Sequence, residues 1–416
     1  MNTGLDPRRT VAELKELRSF TADENGAQRV AFTRKWVETR AWLKQKLQAL
    51  PFEIHTDAAG NLWTTLRGQT ERALLIGGHM DSVPNGGWLD GCLNVLAGVE
   101  VLRRISTQYQ GKPPVTVRLV DWADEEGARF GKSLFGSSAC SGNLDMDEAR
   151  GLKDKSGIRL PDALKEVGVD FERVKESGQE LKHAAAYLEL HIEQGPVLLD
   201  LELPLGAVLG TFGVERHAIT FHGQAAHSGS TPMNRRKDAF LAAAKLSPEI
   251  YRIAERSNGG VCTIGSCTTQ PGIVTSVVAE CRITLDQRHL DSPALARMLH
   301  EAKGASERFA REGGVRVSWD RLWHIEPVLF NPELIDLCAG AIAETCGKSH
   351  RMPSGPLHDA AEVARAGVPT VMMFVQSLHG ISHNKIEDTK EEHLELCVTA
   401  FDNLAAKAME WVRSRT

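Results

Sequence analysis

His79, Asp81 and Asp90 sit on the glycine-rich stretch "GGHMDSVPNGGWLDGC", residues 77–92, directly after the apolar run "ALLI". An imidazole and two carboxylates on a turn after a buried strand can serve as a cap, a turn or a metal site. The chain repeats the arrangement elsewhere. "VTVRLVDW" runs into "ADEEG" with Glu125 and Glu126, "YLEL" into His191, and "VMMFVQS" into a loop holding His383. Taken singly, each has an ordinary reading: a hydrogen-bonded structural histidine, a solvated "DEEG" turn, a plain Asp-Gly turn at 90–91. In open α/β sheets, however, the carboxyl ends of the strands form the crevice where ligands bind, so groups far apart in sequence would meet there. Together they supply three imidazoles and at least two carboxylates, a set suited to borderline divalent metals such as zinc, manganese, cobalt or nickel.

The elements that must position these groups follow from the hydrophobic pattern. From Asp23 to Gln48 the spacing predicts helix, with Trp36, Trp42, Leu43 and Leu47 as apolar positions. The β-rich runs "ALLIGG", "VTVRLVDW", "AAYLELHIE" and "VPTVMMFV" then alternate with helical segments such as 91–105, as in a mostly parallel sheet with helices on both faces. Residues 152–183 read as helical or irregular insertions. Near Pro204 the texture changes. Residues 207–325 give strand, helix, two strands, helix and strand, the ferredoxin-like βαββαβ order, with one sheet face open. The expected fold is therefore α/β: a larger domain of residues 1–206 and 326–416 that carries all the candidate metal ligands, interrupted by an inserted domain of residues 207–325.

Composition narrows the function classes. The 416 residues suffice for two or three domains with sizeable cores, and a formal charge of −5 with interspersed signs gives no footprint for nucleic acid or anionic membrane. The opening "MNTGLDPRRT" has no apolar leader region, and no run reaches the roughly 18 apolar residues of a membrane span. Eight cysteines lie apart without a CxxC pair, which suits reduced core thiols and a cytoplasmic location.

The stretches "GGHMDSVPNGGWLDG", "DEEGARFG", "LHIEQGPVL", "GQAAHSGSTPMNRRKDA", "SGPLHDA" and "GISHNKIED" carry a resemblance over nearly the whole chain. The chain resembles the amidase, hydantoinase/carbamoylase group of dinuclear metallohydrolases, relatives of aminoacylases and of glutamate carboxypeptidases. The resemblance implies two divalent metals per subunit (Zn, Mn, Co or Ni). Asp90 would bridge them, His79 and His191 completing one site, Glu126 and His383 the other. Asp81 would orient His79 through its second ring nitrogen, and glycines 86, 87 and 91 would let the backbone bring Asp90 beside His79. Neighbouring side chains at a strand end point apart, so Glu126 can face the metals while Glu125 faces the attacking water as general base.

For the substrate, the resemblance implies Gln194 near a ureido or amide group, His227 on the developing oxyanion and Arg288 as a two-pronged clamp on a carboxylate. Arg288 in a surface ion pair is the alternative. It also implies a homodimer, with the inserted domain as lid and dimerisation unit and His227 reaching the partner's metals. Two departures touch the pocket. Where the family reads "PNAIN" this chain has "PGIVT", placing Gly272 and the substrate-contact candidate Thr275 at asparagine positions. Where it reads "SGAGHDA" this chain has "SGPLHDA", with Pro356 and Leu357 for small residues. The function implied is hydrolysis of an N-carbamoyl-L-amino acid or related ureido acid (β-ureidopropionate, allantoate) to amino acid, ammonia and carbon dioxide. The rivals are an N-acyl-amino-acid hydrolase or dipeptidase on the same site, and a metal-bound binding protein without catalysis. The retained Glu125 argues against the last, because binding alone has no use for a base.

Overall fold

The strand Ala73–His79 is buried along its whole length, as a strand covered by helices on both faces requires. It pairs in parallel with Thr116–Trp122 on one side and Ala184–Ile192 on the other, and Thr370–Val375 adds in parallel to the latter. Antiparallel strands flank this centre: Leu62–Leu66 then Glu53–Thr56 beyond Thr116–Trp122, and Leu205–Thr211 beyond Thr370–Val375. The computed structural model describes residues 4–415 except Ala49. Met1–Thr3 of the opening segment and Ala49, next to the helical pattern ending at Gln48, lie outside the described residues.

Two adjacent glycines let this strand fit between its neighbours. A Cβ on Gly77 would lie 2.4 Å from the Tyr187 hydroxyl, and one on Gly78 would lie 2.5 Å from Asn94 Nδ2. Asn94 belongs to the helix Cys92–Gln108, and its side-chain oxygen accepts from the Leu190 amide. On the Tyr187 side, Glu189 accepts from the Tyr187 hydroxyl and from the Ala360 amide, in the first turn of the helix Asp359–Arg365. Helices therefore cover both faces, and the two covering helices are pinned to the same strand that carries His191.

The helix expected from Asp23 starts later, at Arg34. Residues 22–27 instead form a short antiparallel hairpin, in which Gly26 has φ +127 and the Ala27 amide donates to the Gly86 carbonyl at 2.9 Å. A Cβ on Gly26 would lie 2.6 Å from that same carbonyl. A contact with a distant turn, not periodicity, shapes this segment. A helix at Pro7–Thr21 precedes it, capped by Asp6, whose side chain accepts from the Arg9 amide.

The chain divides into two compact units, Met1–Leu209 with Phe330–Thr416, and Gly210–Leu329. In the second, the strands Val261–Gln270, Glu280–His289, Gly213–His222 and Arg316–Ile325 lie in that order in an antiparallel sheet. The helices Ala239–Arg256 and Ser292–Gly313 complete a βαββαβ order, and their buried Leu246, Ile250 and Met298 pack with Ile219, Phe221 and Ile283 of the sheet. Six cysteines are buried free thiols, Cys346 is half-buried and Cys267 exposed. Among the described residues no helix is long and apolar enough to cross a membrane.

Candidate metal centre

All the candidate ligands lie at the carboxyl edge of the parallel strands. His79 is the last residue of Ala73–His79, Glu125 and Glu126 follow Thr116–Trp122, His191 is the penultimate residue of Ala184–Ile192, and His383 lies on the loop after Thr370–Val375. Asp90 joins them from the turn before the helix Cys92–Gln108. Gly91 makes that turn with φ +65, and a Cβ there would lie 2.4 Å from the His79 ring. The other two glycines do something else. Neither Gly86 nor Gly87 has positive φ; a Cβ would meet Val83 at the first and the Glu387 carboxyl at the second.

Two donor groups share Asp90. His79, Asp90 and His191 form one; Asp90, Glu126 and His383 form the other, the ligand atoms of each lying within 4.8 Å of one another. Asp90 Oδ1 is 3.1 Å from His191 Nε2 and 3.6 Å from His79 Nε2, while Oδ2 is 3.5 Å from His383 Nε2. Glu126 Oε2 lies 3.2 Å from the same His383 nitrogen. The carboxylate thus offers one oxygen to each group, the arrangement a bridging ligand needs. His79 Nε2 is buried without a hydrogen-bond partner, and a buried orphaned imidazole nitrogen beside a carboxylate suits a metal ligand. The residues fit a pair of divalent cations.

The carboxylates around this core have distinct tasks. Asp81 Oδ1 and Oδ2 accept from the amides of Glu125 and Glu126 at 3.3 and 3.2 Å, which fixes the turn carrying both glutamates. The contact to His79 Nδ1 comes chiefly from the Asp81 backbone carbonyl at 3.1 Å, with the carboxylate 3.6 Å away, so the backbone does the orienting assigned to the side chain. Glu125 Oε2 is 3.7 Å from His79 Nε2, beside the first group. Glu193, in "HIEQG", accepts from the amides of Val197 and Leu198 and is structural.

At the candidate ligand histidines and at Asp90, burial and charge pull protonation in opposite directions. Burial disfavours the charged ring of His191, yet the Asp90 charge and hydrogen bond raise it to about 9. Hydrogen bonds to Asp90 and Glu126 raise His383 to about 10. Asp90 itself, despite burial, is held well below the usual carboxylate range by His191 and its other imidazole neighbours. Burial pushes His79 down and pushes Glu125 well up, the latter helped by Asp359 and Glu126.

Gln194, with φ +60, donates from Nε2 to Asp90 Oδ2 at 2.9 Å, and its Oε1 has no hydrogen-bond partner. Three residues in the quoted motifs went unassigned in sequence: Ser382, Glu387 and His358. The Ser382 hydroxyl lies 3.0 Å from Asp90 Oδ2 and 2.7 Å from Glu387 Oε2. The His358 ring packs 4.4 Å from that of His191, and its Nε2 is 3.0 Å from Ser354 Oγ. Because Ser354 gives its only proton to the Pro356 carbonyl, His358 must donate from Nε2. Pro356, one of the departures, thereby helps set the His358 tautomer. Position in a motif was the available signal for all three.

The other substrate candidates belong to the second unit. His227 is exposed on a two-residue strand paired with Ser276–Val277, and its Nδ1 accepts from the amides of Gly229 and Ser230. Exposed Thr275 accepts the Ser228 amide through its carbonyl, and Gly272 has φ +66. Arg288 Nε pairs with Asp286 Oδ1 at 2.8 Å, and Arg216 binds the same carboxylate. The ion-pair alternative for Arg288 is present in this structure.

The architecture defines a class: a mixed α/β fold with a mostly parallel central sheet whose carboxyl edge presents two adjoining candidate metal groups. Within that class the chain belongs to Peptidase family M20/M25/M40, whose profile matches residues 75–407. It is 34% identical over 370 residues to an N-carbamoyl-L-amino acid amidohydrolase of Geobacillus stearothermophilus, covering 88% of this chain and 90% of that one. It is 33% identical over 382 residues to an allantoate amidohydrolase of Escherichia coli K12, covering 90% and 91%. Among solved structures, an amidase of the hydantoinase/carbamoylase family from Burkholderia multivorans superposes with a TM-score of 0.89 at 29% identity, covering 98% of this chain and 99% of that one.

Proposed function

We propose that the protein is a dinuclear-metal amidohydrolase that cleaves the carbamoyl C–N bond of an N-carbamoyl-L-amino acid or related ureido acid, yielding amino acid, ammonia and carbon dioxide. The observation that carries the reading is the split Asp90 carboxylate, one oxygen toward His79 and His191 and the other toward His383. The relatives named as amidohydrolases of N-carbamoyl amino acids and of allantoate support the substrate class. His79, His191 and Asp90 would hold one metal, and Asp90, Glu126 and His383 the other. Bound there, the metals supply Lewis acidity, which lowers the pKa of an attacking water and polarises the scissile carbonyl.

The chain's own groups do the rest. Glu125 takes the proton of the water as it attacks the carbamoyl carbon and delivers it to the departing nitrogen. One water is consumed, and decay of the carbamate releases carbon dioxide. The unpartnered Oε1 of Gln194 is suited to accept a ureido N–H. Arg288 would hold the substrate carboxylate, and His227 the developing oxyanion, across a homodimer in which the inserted unit serves as lid. The buried free thiols suit a reducing, cytoplasmic setting.

A panel of N-carbamoyl and N-acyl L-amino acids, offered to metal-reconstituted protein with ammonia and free amino acid as readouts, tests the reading. Ammonia from carbamoyl substrates, with N-acetyl analogues left intact, is the expected result. Turnover of the N-acyl set alone would move the protein to the acylase or dipeptidase reading, which the Thr275 departure favours.

A further inference from the structure

We propose that Glu387 is a positioning residue for the second metal group, clasping the Asp90 turn to the loop that carries His383; the inference rests on the dinuclear reading above. The Glu387 side chain is buried. Its Oε1 accepts from the amides of Leu89 and Asp90, each at 3.1 Å, and its Oε2 receives the Ser382 hydroxyl at 2.7 Å. One carboxyl therefore binds the backbone of the bridging ligand and the residue preceding His383. The next acid adds a second tie, since Trp88 Nε1 donates to Asp388 Oδ1 at 3.2 Å.

Gly87 supports the assignment independently. A Cβ there would lie 2.0 Å from Glu387 Oε1 and 2.1 Å from its Cδ, and Gly87 is not among the positive-φ glycines. The backbone conformation does not demand glycine. The space taken by the Glu387 carboxyl does.

The two metal groups differ in how much they need such a tie. His79 and His191 are buried on parallel strands, whose ladders fix them. His383 sits on a loop with φ +53 and a half-exposed side chain, outside the sheet. Releasing the loop should loosen the second group far more than the first.

Proton counting predicts which replacement preserves the clasp. The single Ser382 proton lies between Glu387 Oε2 and Asp90 Oδ2. A glutamine at 387 satisfies every partner: its carbonyl accepts both backbone amides, its NH2 donates to Ser382 Oγ, and the Ser382 proton turns to Asp90. Alanine satisfies none.

The test uses the full chain in four forms: wild type, Glu387→Gln, Glu387→Ala and Gly87→Ala. Each is stripped with chelator and titrated with Co2+, reading visible absorption and bound metal per chain by native mass spectrometry, with thermal melts to confirm folding. Wild type and Glu387→Gln should bind two ions. Glu387→Ala and Gly87→Ala should keep one tight ion and lose affinity for the second by roughly 10–100-fold, the usual worth of an outer-shell partner. Wild-type affinity at both sites in Glu387→Ala, or equal loss at both, overturns the proposal. Should Glu387→Ala not fold, Gly87→Ala, which removes no hydrogen-bonding group, decides by the same two outcomes. A wild-type chain that binds fewer than two ions overturns the dinuclear reading and this inference with it, a result distinct from an unaltered variant.

Discussion

Asp90 Oδ1 lies 3.1 Å from His191 Nε2, with both side chains almost completely buried. Without metal that contact is an ion pair, which is why the His191 proton is held to about 9 and, on the other oxygen's side, that of His383 to about 10.

Metal loading should therefore release protons. Both histidines stand above pH 7, so the metal-free centre carries both protons there, and ligation requires them to leave. The sign is that metal affinity rises with pH through the neutral range and levels off only as pH passes about 9 and about 10. Calorimetric titration in two buffers of different ionisation enthalpy at pH 7 should report about two protons displaced from these imidazoles. Metal binding with no buffer dependence would contradict the protonated ion pairs.

Arg288 already holds Asp286, so its use on a substrate is open to a direct comparison. A clamp needs the planar fork, and Arg288→Lys should lower kcat/KM on the carboxylate substrate by roughly ten- to a hundredfold, the worth of about 1.5–3 kcal/mol for a charged hydrogen bond. An amidated substrate should be hardly affected. Equal losses on acid and amide would leave Arg288 a purely structural partner of Asp286.

His227 is tested by mixing two inactive chains. If it completes the partner's centre in a two-fold dimer, Glu125→Gln and His227→Ala chains mixed with subunit exchange build one intact site per heterodimer. Activity should return to roughly a quarter of wild type, because about half the dimers are mixed and each has one working site of two. Exchange confirmed by mass without recovered activity would place His227 elsewhere.

That His79, Glu126 and His191 gather was legible in sequence because each sits on or just after an apolar strand, and strand ends of one sheet converge. Asp90 and His383 lie on longer connections, and their place in the set came from the family resemblance. What escaped was what local pattern cannot carry. Glu387 meets Asp90 across 297 residues. The stretch from Asp23 read as helix because nothing local shows that Ala27 bonds to Gly86. The Asp81 side chain was expected to orient His79, but its carboxylate turns to the amides of Glu125 and Glu126 while its backbone carbonyl meets the ring. Gly86, Gly87 and Gly91 looked alike in sequence, and only Gly91 proved to be a matter of φ.

In the proposed function Glu125 acts as a base beside, and not within, the two metal groups. The most direct measurement is metal content and turnover of Glu125→Gln side by side with wild type, on an N-carbamoyl amino acid. Unchanged metal stoichiometry is expected, with turnover reduced by roughly two to four orders of magnitude, the usual worth of general acid–base catalysis. A variant that purifies with less metal, or that turns over at the wild-type rate, would contradict this role.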